Sequence, residues 1–147
     1  MRISTKGSYA LEAMLAITIS STEKSVSIRE ISEKTGISDK YLEQIFLLLK
    51  EAGVIVGTRG VGGGYVLSRP AEEISVGQIL RATETSFSPV PCIAEPETCN
   101  RTESCASRAV WTGLDQTIAR RIDPLTLQNL ADNYLRSRER ASDDFSI

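Results

Sequence analysis

Between Ser27 and Gly53 the chain starts a helix, stops it, and starts another a few residues later. Ser27 and Glu30 form an S-x-x-E capping box, whose side chains satisfy otherwise unpaired N–H groups at a helix start. A short helix from Ile28 to about Lys34 follows from it. Gly36 is a natural stop, because glycine takes the left-handed conformation of a helix end without steric cost. Ser38 opens the next helix, on which Leu42, Ile45, Phe46 and Leu49 recur at i, i+3, i+4, i+7 up to Gly53. Two short helices joined by a glycine-containing turn are the helix-turn-helix pattern.

The rest of the chain builds around that unit. Residues 5–20 carry Ala10, Leu11, Met14, Leu15 and Thr18 at helical spacing, which predicts a first helix with one buried stripe. After Gly53 the period changes to Val54-Ile55-Val56 and Tyr65-Val66-Leu67, two β-type runs around a glycine-dense tip that holds Arg59. Pro70 ends this hairpin, and Ser75 caps a short helix through about Thr83. The expected fold is mainly α with a small β-hairpin wing: a winged helix-turn-helix domain over residues 1–85. From Phe87 to Ser104 no periodicity survives, and prolines and cysteines mark an irregular loop, assigned to 86–105. Val110, Trp111, Leu114, Ile118 and Ile122 then form a narrow apolar stripe on a long helix of about 18 residues that must stop before Pro124. A short terminal helix containing Leu127, Leu130 and Tyr134 completes a dimerisation segment at 106–135. The tail at 136–147 is expected to be frayed or disordered.

Charge works against a simple DNA-binding reading. The net charge is −2 and the pI about 5.3, whereas nucleic-acid binders tend to be basic. Over residues 1–84 ten basic and ten acidic side chains cancel, so DNA contact must rest on local placement of charge. On the second helix of the pair, the core stripe leaves Asp39, Lys40, Glu43, Gln44 and Leu47 on the opposite face. Gln44 can pair bidentately with adenine, Lys40 can donate to guanine, and Glu43 can accept from the cytosine amino group. The competing reading is an ordinary solvated face. Arg59, set among glycines, can approach a narrow minor groove. A phosphate-cradling nucleotide loop is disfavoured, because these glycines lie between two β-runs and no G-K-[ST] follows. The expected DNA contacts are Ser38, Lys40, Tyr41, Glu43, Gln44, Arg59 and Gly60. The stripe Val110, Leu114, Ile118 and Ile122 needs a partner surface, either its own domain or a second copy. A two-fold homodimer would present two reading helices to a pseudo-palindromic double-stranded DNA operator.

The chain has three cysteines, Cys92-x6-Cys99-x5-Cys105, and no histidine. The odd count argues against a disulfide framework. The missing histidine excludes His-based catalysis and His-containing zinc sites. Thiolates on an irregular loop suit an iron–sulfur cluster; unrelated thiols, a thiol switch or an incomplete zinc site are the alternatives. With no C-x-x-C and no recognisable carboxylate pair, no enzyme is expected. No apolar run approaches the roughly 18–20 residues of a membrane span, and the opening residues show an amphipathic pattern rather than a signal-peptide core. A cytoplasmic protein is expected.

Five segments together resemble the bacterial iron–sulfur cluster regulator family, the IscR, NsrR and CymR group, most nearly its IscR-like members. They are M-R-I-S-T-K-G-x-Y-A-L at the start, Y-L-E-Q-I-F at 41–46, R-G-x-x-G-G-Y at 59–65, S-V-G-Q-I-L at 75–80 and T-L-Q-N-L at 126–130. The resemblance spans nearly the whole chain. It implies DNA contact by Glu43, Gln44 and Arg59, and dimerisation through the long helix. It also implies a cluster, expected to be of the 2Fe–2S type, held by Cys92, Cys99 and Cys105, in a repressor of cluster-assembly or iron and redox-stress genes. A cofactor-free or thiol-switched regulator of cysteine metabolism, acting with a partner protein, is the alternative the same resemblance allows. The chain departs from the pattern at the fourth ligand. Arg108 stands where IscR-type members carry a histidine, and Ser8 where the nitric-oxide sensors carry an acid. Glu95, Glu97 and Glu103 are the candidate oxygen ligands.

Overall fold

The structure, a computed structural model, describes residues 3–20, 24–84 and 86–144, the last three of these by backbone alone. The first helix, α1, is Thr5–Ser20. The helix-turn-helix pair is α2, Ile28–Thr35, and α3, Asp39–Glu51. Both halves of the Ser27–Glu30 capping box form, and Gly36 ends α2 at φ 73°. The Ser27 hydrogen bonds hold the Glu30 carboxyl below its ordinary value.

The buried face of α1 is Gly7, Ala10, Ala13, Met14 and Ile17. The expected stripe is therefore rotated: Leu11, Leu15 and Thr18 are only half-buried. Small residues decide the face, because they let neighbouring backbones come close, and counting large apolar side chains overlooks them. Gly7 leaves room for the Glu84 carboxylate, which a Cβ there would strike. Glu84 Oε1 accepts hydrogen bonds from Ser4 N and Ser4 Oγ, 2.9 and 2.7 Å long, fastening the start of α1 to the end of α4 (Val76–Thr83).

Strands β1, Ile55–Thr58, and β2, Gly64–Leu67, pair antiparallel with Ile55 opposite Leu67 and Thr58 opposite Gly64. Val54 sits just outside β1 and is buried. A bridge between Val26 and Tyr65 joins the hairpin to the chain preceding α2. Phe46 of α3 is fully buried and meets Tyr65 of β2 edge to face, ring centres 4.7 Å apart. That contact sets the wing against α3.

Residues 86–107 are less irregular than expected. A one-turn helix, α5, covers Pro91–Ala94, and a 3-10 turn covers Pro96–Thr98. The long helix α6 is Arg108–Ile122, about one turn shorter than its sequence pattern suggested. The largest difference is α7, Leu127–Asp144. Residues 136–144, expected to be disordered, continue this helix, because Arg, Glu and Ala sustain helical structure without burial; residues 145–147 lie outside the described ones. Leu127 is fully buried and joins the same core as Phe46 and Met14. A bridge between Ser75 and Thr126, with Val76 N donating to Leu125 O and Leu127 N to Ile74 O, ties the start of α7 to the start of α4. The core of the helix-turn-helix body therefore draws on residues near both ends of the chain.

Candidate nucleic-acid interface and cysteine segment

α3 turns Leu42, Ile45, Phe46 and Leu49 inward and leaves Ser38, Lys40, Glu43, Gln44 and Leu47 exposed. Ser38 caps the helix by accepting from Tyr41 N at 3.4 Å. Tyr41 is half-buried, its ring standing edge to face with Tyr9 of α1 at 5.6 Å. Among the described residues Lys40, Glu43, Gln44 and Arg59 carry no ion pair. Among the described residues no hydrogen bond commits their polar ends either.

The wing is held rigidly for so glycine-rich a loop. Thr58 Oγ1 accepts from Gly64 N at 3.1 Å and donates to Gly64 O at 3.3 Å, closing the hairpin. Gly63 N donates to Gly60 O at 2.9 Å, and Ser25 Oγ donates to Gly62 O at 2.6 Å. Gly60 and Gly62 have φ of 102° and 78°, a region that side chains with a Cβ rarely enter. Arg59 and Lys50 line one shallow groove between the wing and the end of α3. Two wing-side residues escaped the sequence reading. One is Lys50, at i+3 from Leu47, and the other is Val61, at the wing tip. The available signal was the lack of any acidic residue between Glu51 and Glu72, a stretch that holds Arg59 and Arg69.

The three thiols sit on separate pieces of one segment: Cys92 on α5, Cys99 after the 3-10 turn, Cys105 just before α6. All are free and half-exposed. Cys105 Sγ lies 3.3 Å from Ser107 Oγ. The Ser107 side-chain and backbone hydrogen bonds, aided by Arg101, hold this thiol below its ordinary value. Arg108 Nη1 donates to Cys92 O at 3.2 Å, and Ser88 Oγ donates to Asp115 Oδ1 at 2.9 Å. Both bonds strap the segment onto α6. The donor set suits an iron–sulfur cluster in kind. Its arrangement is open: among the described residues no three Cys, Asp or Glu side chains gather as a metal-holding group. Glu95, Glu97 and Glu103 point into solvent, as does Ser8.

The apolar stripe of α6 divides. Val110 and Leu114 are 62% and 42% exposed. Ile118 and Ile122 are half-buried and line a cavity with Arg81, Phe87 and Ala94. Steps of four residues drift by roughly 40° each around a helix, so the first and last members face different neighbours. Arg81, from α4, pairs with Asp123 at 2.6 and 3.1 Å, fixing the end of α6.

The sequence model of the Rrf2 family, described as iron-dependent transcriptional regulators, matches residues 3–133. The HTH-type transcriptional regulator IscR of Serratia proteamaculans is 38% identical over 133 residues, covering 90% of this chain and 80% of that protein. Among solved structures, CymR, the global cysteine regulator of B. subtilis, is 32% identical with a TM-score of 0.76, covering 90% of this chain and 98% of that one. T. potens IscR is 30% identical with a TM-score of 0.73, covering 91% and 88%.

Proposed function

Because this chain belongs to the Rrf2 family of helix-turn-helix transcriptional regulators, we propose that it is a homodimeric repressor that reads a pseudo-palindromic operator with α3 and the wing. The observation that carries this reading is the pairing of an exposed, uncommitted α3 face with an acid-free wing bearing Arg59. A helix of this size fits one major groove, and its polar side chains then reach base edges. Gln44 is assigned to adenine, Lys40 to guanine, and Glu43 to the cytosine amino group, where it discriminates against bases that offer no donor. Arg59 enters the adjoining minor groove beside Gly60, while Ser38 and the Tyr41 phenol face the backbone. Quantitative gel shifts on a duplex selected by the protein test this. Gln44→Ala and Arg59→Ala are each expected to weaken binding by roughly 1–3 kcal/mol, and Glu43→Ala to relax base preference more than affinity. Unchanged affinity in both Gln44→Ala and Arg59→Ala would remove the DNA face from this surface.

Dimerisation is assigned to α6. Exposed Val110 and Leu114 supply the centre of the interface, and Ile118 and Ile122 support it from the side of their own domain. Light scattering should give twice 16.1 kDa for wild type and a monomer for Leu114→Lys. A monomeric wild-type protein at micromolar concentration refutes the assignment.

The regulatory group is assigned to Cys92, Cys99 and Cys105, which would hold an iron–sulfur cluster, of the 2Fe–2S type, once the segment closes around it. Bound there, such a cluster supplies redox- and ligand-sensitive iron. Arg108 and Ser88 attach the same segment to α6 and so place the thiols beside the dimer helix. The genes of iron–sulfur assembly or of iron and redox stress are the assigned targets. The open arrangement of the thiols, with the likeness to a cysteine regulator, favours one second reading: a thiol-switched regulator of cysteine metabolism without a cofactor.

A further inference from the structure

The wing tip presents a side chain that the reading above does not use. In the run Gly60-Val61-Gly62-Gly63-Gly64 the one side chain is valine, and Val61 is the most exposed large apolar residue described, at 112%. It occupies the second position of a β-turn closed by Gly63 N→Gly60 O, with Gly62 at the positive φ of a type II turn. Ser25 and Thr58 brace that turn from both sides. A Cβ on Gly63 would stand 2.6 Å from Thr58 O, so the tip admits no bulkier neighbour. A braced turn that lifts one isopropyl group clear of the surface loses little entropy when that group is buried by a partner. The surroundings name the partner: Arg59 adjoins it, and no acidic residue lies between Glu51 and Glu72.

We propose that Val61 is a minor-groove contact that packs its isopropyl group between the deoxyribose walls of the duplex and requires A·T pairs beneath it. The minor groove is about 6 Å wide, and its floor differs chiefly by the guanine 2-amino group. A methyl group near that floor fits over A·T pairs and is displaced by the amino group of G·C pairs. This inference rests on the DNA-binding reading and adds a specificity determinant to it.

The test uses the full-length protein and a duplex that it selects from random-sequence DNA. A second duplex carries 2,6-diaminopurine for adenine, which adds the minor-groove amino group and leaves the major-groove edge of the base unchanged. Val61→Ala should fold like wild type and bind the selected duplex roughly tenfold more weakly, the effect of leaving two methyl groups unburied. Val61→Thr, nearly isosteric, should lose less, and Val61→Asp more than either. Diaminopurine should weaken wild type about tenfold and Val61→Ala distinctly less, while Arg59→Ala keeps the wild-type sensitivity. Equal binding by wild type and Val61→Ala, or an equal diaminopurine penalty in both, overturns the valine contact and leaves the regulator reading intact. Failure to enrich any duplex overturns both.

Discussion

Phe46→Ala is expected to lower folding stability by about 3–5 kcal/mol, enough to bring a small domain near its unfolding threshold. Phe46 is fully buried, at 0% accessibility, with Tyr65 of β2 across its ring. Truncation removes the transfer energy of a phenyl group, leaves a cavity, and forfeits an edge-to-face contact of roughly 0.5–1.5 kcal/mol. The lost contact is also the one that fixes the wing relative to α3, so residual folded protein should bind its operator poorly. The neighbouring Leu47 supplies the control. It is 59% exposed, and Leu47→Ala should change stability by no more than about 0.5 kcal/mol. Urea melts of the two variants decide the matter. A larger loss in Leu47→Ala than in Phe46→Ala would mean that the buried and exposed faces of α3 have been assigned the wrong way round.

Removal of any one cysteine is expected to have the largest effect on cofactor content. After anaerobic reconstitution with ferrous iron and sulfide, wild type should show the visible absorption of an iron–sulfur cluster. Cys92→Ala, Cys99→Ala and Cys105→Ala should each lose most of it. The chain has no fourth cysteine and no histidine. Arg108 cannot replace one, because its guanidinium remains protonated and has no free lone pair; its hydrogen is given to the Cys92 carbonyl. In a cluster held by these three thiols the remaining ligand would then be an oxygen, a harder and weaker partner for iron than thiolate. Glu95→Gln, Glu97→Gln and Glu103→Gln should accordingly lower cluster lifetime more than cluster yield. Retention of full absorption by all three cysteine variants refutes the cluster assignment. A colourless wild-type protein after reconstitution favours the thiol-switched reading instead.

What the sequence made legible was local. Ser27, Glu30, Gly36, Ser38 and Ser75 act within three or four residues of their partners, and each caps the helix assigned to it. The wing was legible for the same reason, since its glycines and flanking β-type runs belong to one hairpin. The Ser4–Glu84 fastening joins residues 80 apart, and no pattern along the chain announces it. The Arg81–Asp123 pair is hidden in the same way. The buried face of α1 was misplaced because Gly7 and Ala13 matter by being small. The helix at 136–144 was missed because apolar periodicity ends near Leu135 while helical propensity does not. In the candidate interface, exposed polar residues on α3 could be listed from their phase opposite the core. Val61 was legible only as part of an acid-free stretch, because its exposure comes from the turn that lifts it. The open spacing of the thiols was equally out of reach, since three nearby cysteines in sequence do not say whether their side chains meet.

The bridge between Ser75 and Thr126 has a consequence for how the molecule can move. The described residues between 84 and 125, cysteines and α6 included, leave the DNA-binding body after the end of α4 and return to it beside the start of the same helix. The excursion is a handle with two pivots rather than an arm with one. A handle can tilt about the line joining its pivots, but it cannot swing freely or extend. A rearrangement of the cysteine segment would thereby be expected to turn α6 about that line, and two copies gripping each other by their handles would turn their reading helices together. Cutting the chain after the wing domain would not free a working DNA reader. It would withdraw Leu127 and Ala131 from the core and leave the body open where the handle was rooted.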